Sequence, residues 1–183
     1  MSAISTTLLE FLKPGDLLLY SQPVYGGTDH FITHFLEEIG VKSIGFLPNQ
    51  SKEEIIKVVE KTGLSNKLGL IYIETPANPT NDLIDIEMCR DVAKHFSVNE
   101  SKIHIAVDNT FMGPLWSDPA KHGADLVIYS ATKYLGGHSD LIAGAVLGND
   151  EVMVRVKTLR TFLGNIDFEY GCLLYTSPSP RDQ

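Results

Sequence analysis

Short apolar runs alternate with amphipathic segments along most of the chain. Apolar runs of about four to eight residues bounded by turn residues are typical of buried strands. Six strands are predicted on this basis, at residues 16–20, 42–47, 68–74, 102–111, 126–128 and 141–148. Apolar positions at helical spacing predict helices at residues 2–12, 51–62, 84–96 and 151–163. Strands that alternate with helices predict an α/β fold, a three-layer sandwich with a mostly parallel central sheet.

The strand at 126–128 leads into a cluster of polar side chains. Ser130, Thr132 and Lys133 follow it, and the glycine pair at 136–137 allows the backbone to turn sharply. Hydroxyls and an amine at the end of a strand can serve a phosphate and an electrophilic carbon together. Ligand sites in open α/β sheets form at such strand ends. Taken alone the pattern is weak, because most lysines that follow a strand are simply solvated.

A carboxylate, Asp108, follows the apolar residues of the preceding predicted strand. An acid in that place is most often a helix cap or a turn former. It also suits pyridoxal 5′-phosphate, whose pyridine nitrogen needs an anionic partner in order to stay protonated. Because Asp108 and Lys133 follow consecutive strands, we expect two neighbouring strand ends to present both groups to one ring.

Composition and residue spacing argue against several classes of binding partner and site. The net charge of −8 argues against nucleic acid or an acidic membrane as a partner, since both favour a basic surface. No apolar run approaches the ~20 residues that a membrane span needs, and the N-terminus lacks the pattern of a signal peptide. Cys89 and Cys172 have no metal or redox spacing, and His30 and His34 have no third ligand beside them. We therefore expect a cytoplasmic protein without a metal site.

Five short motifs carry a specific resemblance. They are Tyr-Gly-Gly-Thr at 25–28, Glu-Thr-Pro-Ala-Asn-Pro-Thr at 74–80, Val-Asp-Asn-Thr-Phe at 107–111, Ser-Ala-Thr-Lys-Tyr at 130–134 and Gly-His-Ser-Asp at 137–140. In this order they resemble the Cys/Met-metabolism family of pyridoxal-phosphate enzymes, which includes cystathionine γ-synthase, cystathionine lyases, methionine γ-lyase and homoserine-ester sulfhydrylases. The resemblance runs from the first residue to about Ile166. It implies the large domain of the type I (aspartate-aminotransferase-like) fold, incomplete at both ends.

The resemblance assigns the chemistry to three residues. Lys133 would form the covalent Schiff-base link to the cofactor and later move protons on the substrate. Asp108 would face the pyridine nitrogen. Tyr25 would stack on the ring and take part in catalysis. Without the other motifs, an aromatic residue after a strand is usually a packing residue.

The resemblance assigns the remaining cofactor contacts to Asn78, Ser130 and Thr132. Asn78 would lie beside the phenolic oxygen, and Ser130 and Thr132 would bind the phosphate. From the residues alone, Asn78 is equally well explained as an Asx-turn residue. We expect either the Thr75–Pro76 or the Asn78–Pro79 peptide bond to be cis, because a tight turn must aim Asn78 inward.

These expectations describe a trans-sulfuration enzyme that acts by elimination or γ-replacement on a small-molecule amino-acid substrate, either a sulfur amino acid or an activated homoserine. The full-length parent is expected to be a homo-oligomer of the tetrameric type. Gly27 stands where methionine γ-lyases typically have cysteine, which argues modestly against that activity. The alternative is a noncatalytic fragment that at most binds pyridoxal 5′-phosphate. A nucleotide-binding domain is disfavoured because no Gly-x-Gly-x-x-Gly motif or P-loop is present.

The resemblance also divides the chain. Residues 1–166 are predicted to be the cofactor-binding large domain without its N-terminal strand and arm, and the C-terminal small domain is expected to be absent. The proline- and serine-rich segment 167–183 is predicted to be a disordered, non-native tail. Loss of the N-terminal strand would leave an exposed sheet edge around residues 142–147, and open apolar edges favour aggregation.

Overall fold

One six-stranded sheet forms the centre of the protein. The computed structural model describes residues 1–97 and 102–165. In that part the strands are β1 (Leu17–Ser21), β2 (Lys42–Phe46), β3 (Leu68–Glu74), β4 (His104–Asp108), β5 (Leu126–Ser130) and β6 (Gly144–Gly148). Their order is β2-β1-β3-β4-β5-β6. The first five strands run parallel and β6 runs antiparallel to β5. This confirms the predicted α/β fold with a mostly parallel sheet.

Helices connect the strands and cover both faces of the sheet. They are α1 (Ser2–Phe11), α2 (Gly26–His30), α3 (Lys52–Lys61), α4 (Ile86–Phe96), α5 (Gly113–Trp116) and α6 (Asp150–Leu163). A π-helical segment (Phe31–Leu36) continues α2, and two 3₁₀ turns cover Ser65–Lys67 and Pro119–His122. Within residues 1–97 and 102–165, none of the helices has the length and apolar character to cross a membrane.

Two hydrophobic clusters lie on opposite faces of the sheet. On one face, α1 and α6 pack against each other, and Leu8 of α1 and Val156 of α6 belong to the same buried cluster as Leu18 of β1. On the other face, α3 and α4 pack through residues such as Ile55, Val92 and Phe96, against strand residues that include Leu19 of β1. Leu18 and Leu19 point to opposite faces because side chains alternate along a strand. Apolar residues on both faces make the three layers that the sequence predicts.

Local sequence also explains where the helices begin. Ser51 caps α3, since its hydroxyl accepts a hydrogen bond from the Glu54 N–H while the Glu54 carboxylate accepts one from the Ser51 N–H. Asp85 caps α4 by accepting from the Met88 N–H, so this helix begins two residues later than the pattern indicated.

Several predicted strands have different bounds in the structure. Strand β4 covers His104–Asp108 instead of 102–111, since Thr110 bonds back to the Asp108 carboxylate, and β5 continues two residues beyond the predicted 126–128. Strand β6 begins at Gly144 instead of residue 141, because the Thr132 hydroxyl binds the backbone of Ala143 and holds it in a loop. Between the predicted strands at 102–111 and 126–128, where no helix is predicted, the chain forms the short helix α5 and the second 3₁₀ turn. Strand β6 lies at an edge of the described sheet, as expected. The predicted tail at 167–183 lies outside the described residues.

Candidate active site

Polar residues end four of the five parallel strands, at the carboxyl edge of the sheet. Ser21, Glu74, Asp108 and Ser130 are the last residues of β1, β3, β4 and β5. Glu74 and Asp108 are paired in the strand register, so two carboxylates lie side by side on neighbouring strand ends. The carboxyl edge of a parallel sheet is where α/β proteins place ligand sites. The expectation that Asp108 lies on a strand end next to the one that leads to Lys133 is therefore confirmed.

Asp108 is almost fully buried, with 5% of its surface exposed. Its Oδ1 accepts hydrogen bonds from the Thr110 hydroxyl at 2.6 Å and from the Thr110 N–H at 3.0 Å. Its Oδ2 has a longer contact, 3.4 Å, with the Tyr72 hydroxyl. Burial raises the pKa of Asp108, and the hydrogen bonds from Thr110 and Tyr72 offset part of that rise.

Thr110 also joins the Asp108 strand to the lysine strand. Its Oγ1 accepts a hydrogen bond from the Ser130 N–H at 2.8 Å while donating to Asp108. The Asn109 N–H donates to the Ile128 carbonyl at 2.9 Å, which extends the pairing of β4 and β5 beyond the strand ends. Asp108 and Ser130 are thus connected through a single side chain.

The turn after β5 carries Lys133. The Lys133 N–H donates to the Ser130 carbonyl at 3.0 Å, and the Gly137 N–H donates to the Lys133 carbonyl at 2.9 Å. Gly137 has a φ of +75°, a conformation that favours glycine, and a Cβ at Gly136 would lie 2.7 Å from the Ala131 carbonyl oxygen. The two glycines are therefore required for this turn. The Lys133 side chain is exposed to solvent.

Thr132 is held differently from its neighbours. Its hydroxyl donates to the Ala143 carbonyl at 3.2 Å and accepts from the Ala143 N–H at 3.1 Å. A threonine hydroxyl has a single hydrogen to donate. Donation to a phosphate would therefore require Thr132 to release the Ala143 carbonyl.

Tyr25 and Asn78 meet through Glu74. The Tyr25 N–H donates to Glu74 Oε2 at 2.9 Å, and the Asn78 N–H donates to Glu74 Oε1 at 2.7 Å. The Tyr25 ring is half exposed and lies against Gly27, where an added Cβ would be 2.7 Å from the ring. Burial, with a further contribution from the charge of Asp108, raises the pKa of Glu74 to about 7.

The proline turn that carries Asn78 confirms one prediction. Both the Thr75–Pro76 and the Asn78–Pro79 bonds are cis, and the Gln22–Pro23 bond before Tyr25 is cis as well. The Thr75 hydroxyl accepts a hydrogen bond from the Ile84 N–H at 3.0 Å and so holds the far end of the turn.

The structure brings the six predicted site residues to one edge of the sheet. They are Tyr25, Asn78, Asp108, Ser130, Thr132 and Lys133. Sequence reasoning gave no role to Glu74, Tyr72 or Thr110, whose hydrogen bonds position four of the six. A signal for Glu74 was present, because it is the only charged residue in the apolar strand 68–74. Nothing local in the sequence singles out Tyr72 or Thr110, since their contacts depend on strand register.

Relatives of known activity resemble the chain over most of its length. It is 39% identical to cystathionine gamma-lyase of Homo sapiens over 173 residues, which are 94% of this chain and 40% of that protein. It is 38% identical to L-methionine gamma-lyase of Fusobacterium nucleatum over 157 residues, 86% of this chain and 37% of that protein. The chain therefore spans about 40% of the length of the curated relatives that it matches.

Solved structures agree with these relatives. The cystathionine gamma synthase from Xanthomonas oryzae pv. oryzae, solved in complex with cystathionine, superposes with a TM-score of 0.78 at 30% identity, over 90% of this chain and 40% of that one. The structure of metB from Corynebacterium glutamicum gives a TM-score of 0.80 at 32% identity, over 91% of this chain and 40% of that one.

A family model extends the match further along the chain than the sequence motifs do. The model described as "Cys/Met metabolism PLP-dependent enzyme" matches residues 1–175, past Ile166, where the motif-based resemblance ends. Because the match covers nearly the whole length, the chain belongs to the family of Cys/Met metabolism PLP-dependent enzymes.

Proposed function

We propose that this chain is part of a trans-sulfuration enzyme that catalyses elimination or γ-replacement on a sulfur amino acid or an activated homoserine. The observation that carries the proposal is the link Asp108–Thr110–Ser130, which leads directly to Lys133 on the adjacent strand end. The relatives named cystathionine gamma-lyase, L-methionine gamma-lyase and cystathionine gamma synthase support this class of reaction.

The donors and acceptors of the site fit pyridoxal 5′-phosphate, the cofactor on which the family depends. Among the residues that the structure describes, the one hydrogen bond to Asp108 Oδ2 is the 3.4 Å contact from Tyr72, so this buried carboxylate oxygen keeps the capacity to accept a stronger hydrogen bond. A protonated pyridine nitrogen is a donor of the matching charge. When bound, the cofactor supplies an electron-withdrawing ring that stabilises negative charge on the substrate's α-carbon.

Each predicted residue has a distinct task in this proposal. Asp108 would accept a hydrogen bond from the ring nitrogen, and Thr110 fixes the orientation of its carboxylate. Lys133 would hold the cofactor through its amine, and the same amine would move protons at the α- and β-carbons of the substrate. Tyr25 would cover one face of the ring.

The remaining contacts orient the cofactor. Asn78 would contact the phenolic oxygen of the cofactor, and Ser130 would bind the phosphate through its hydroxyl. Thr132 would also bind the phosphate, with its hydroxyl donating there instead of to the Ala143 carbonyl. The proposal retains an amino acid as the small-molecule substrate, a homo-oligomeric full-length protein and a cytoplasmic location, on the basis of the resemblance and the composition.

A second candidate function follows from how little of the relatives' length this chain covers. Because the chain spans about 40% of their length, a noncatalytic fragment that binds only the cofactor is the alternative. The two candidates make the same prediction for cofactor binding and opposite predictions for turnover.

Cofactor titration followed by borohydride reduction tests the proposal. We expect the visible absorbance of bound cofactor, and a label that peptide mass spectrometry places on Lys133 and that is lost in Lys133→Ala. Lys121→Ala, which changes an exposed lysine on another turn, is the matched control and should keep the label. Assays with cystathionine, methionine and homoserine esters then separate an enzyme from a binding fragment. A folded, soluble chain without label would refute the assignment of the site.

A further inference from the structure

Glu74 is a buried carboxylate that the proposed mechanism does not use. It ends β3 with 5% of its surface exposed. Both of its oxygens accept backbone hydrogen bonds, from Tyr25 at 2.9 Å and from Asn78 at 2.7 Å. Its own N–H donates to the Ser21 hydroxyl at 3.0 Å. One side chain thus joins the turn after β1 to the turn after β3.

The placement of this charge is costly. A buried carboxylate normally has a cationic partner, because its transfer from water is unfavourable. The ion pairs found within residues 1–97 and 102–165 do not include Glu74. Its partner in the strand register is another acid, Asp108. What offsets the cost is the pair of short N–H donors, both from segments that carry predicted cofactor contacts.

We propose that Glu74 is a positioning residue whose ionised carboxylate fixes Tyr25 and Asn78 together in the arrangement that receives the cofactor. The inference rests on the proposed function for the identity of the ligand. The two backbone bonds favour the ionised form, since each N–H needs an acceptor oxygen. A protonated acid presents one oxygen as a hydroxyl, which cannot serve an N–H donor equally well. Protonation of Glu74 therefore weakens the hydrogen bond to one of the two turns.

The two turns should accordingly respond to pH near neutrality. Burial is the main reason that the pKa of Glu74 rises to about 7, and the like charge of Asp108 adds to it. Within the described part of the chain, the titratable groups that interact with Glu74 are Asp108 from β4 and Tyr72 from its own strand. Removal of the Asp108 charge should therefore move the transition to lower pH.

Amide hydrogen exchange on the cofactor-free chain tests the inference. We expect the protection factor of at least one of the two amides, Tyr25 and Asn78, to fall as the pH drops through about 7. In Asp108→Asn the midpoint should shift to lower pH. In Glu74→Gln, at least one of the two amides should lose about ten-fold protection at pH 8 and show no transition. Glu60→Gln, which neutralises an exposed glutamate on α3, should behave like the unsubstituted chain.

Cofactor titration tests whether the hydrogen bonds from Tyr25 and Asn78 to Glu74 matter for cofactor binding. We expect Glu74→Gln to weaken pyridoxal 5′-phosphate binding about ten-fold, with Glu60→Gln unchanged. Protection that is independent of pH in the unsubstituted chain would overturn the inference. This pH profile is measured without any substitution, so a variant that fails to fold does not affect it. Unchanged cofactor affinity in a folded Glu74→Gln would overturn it too. The exchange data need no cofactor, so failure of the unsubstituted chain to bind it would count against the proposed function alone.

Discussion

Thr110 provides the sharpest test of how the site is assembled, because its hydroxyl makes two hydrogen bonds at once. It donates to Asp108 Oδ1 at 2.6 Å and accepts from the Ser130 N–H at 2.8 Å. Thr110→Val keeps the shape of the side chain and removes both bonds. The variant therefore separates hydrogen bonding from packing.

The expected cost follows from the two bonds. A hydrogen bond to a charged group contributes about 1.5–3 kcal/mol, and a buried N–H without a partner costs about 1–3 kcal/mol. Both bonds are only partly buried, so water compensates some of the loss and the lower ends of these ranges apply. We expect Thr110→Val to lower the free energy of unfolding by about 2–3 kcal/mol at pH 7.

Urea denaturation at pH 7 measures this loss. Thr110→Ser is the matched control, because it keeps the hydroxyl and removes one methyl group, worth no more than about 1 kcal/mol. The Thr110 hydroxyl also lowers the pKa of Asp108, so the penalty should shrink as the pH falls and Asp108 is protonated. Equal destabilisation by the valine and serine variants would refute the reasoning, because packing would then explain the loss.

Three further perturbations test other parts of the fold. Burial opposes ionisation of Asp125, but the nearby His104 ring, the ion pair with Lys102 and the hydrogen bond from the Ile105 N–H prevail and lower its pKa below the usual 3.8. The stabilisation is therefore present above that value and lost below it, and Asp125→Asn should cost about 1–2 kcal/mol in urea at pH 7 and less at pH 3. Ser51→Ala removes the cap of α3 and should cost about 1 kcal/mol by thermal denaturation; no change in Tm would contradict the capping argument. Leu147→Lys places a charge on the half-exposed edge strand β6 and should reduce self-association in light scattering, whereas unchanged scattering would exclude that edge as the cause.

The sequence predicted most elements because their apolar patterns are local. Strand β3 matches its predicted span, and the box formed by Ser51 and Glu54 marks the start of α3. The start of β6 was missed because it depends on Thr132, eleven positions before Ala143 in the chain. Such a contact leaves no trace in a local pattern.

The residues of the candidate site likewise fall into those that the sequence could predict and those that it could not. The polar residues at the strand ends could be found, because each interrupts an apolar run. The residues that hold them could not, since Tyr72 and Asp108 are 36 positions apart and meet only through the register of β3 and β4. The chemical roles of the predicted residues stay predictions that the cofactor experiments address.

The antiparallel direction of β6 has a consequence for the segment that carries Lys133. Strand β6 begins next to the end of β5, at the carboxyl ends of the parallel strands. The two ends of the connecting segment 131–143 therefore lie side by side. The bonds between Thr132 and Ala143 close this segment into a loop with both ends anchored. Residues 137–140 at its tip are exposed, so a short insertion there would lengthen the loop without displacing its anchors. Since a doubling of loop length costs only about 0.6 kcal/mol, the tip is a suitable place to attach a spectroscopic probe close to Lys133.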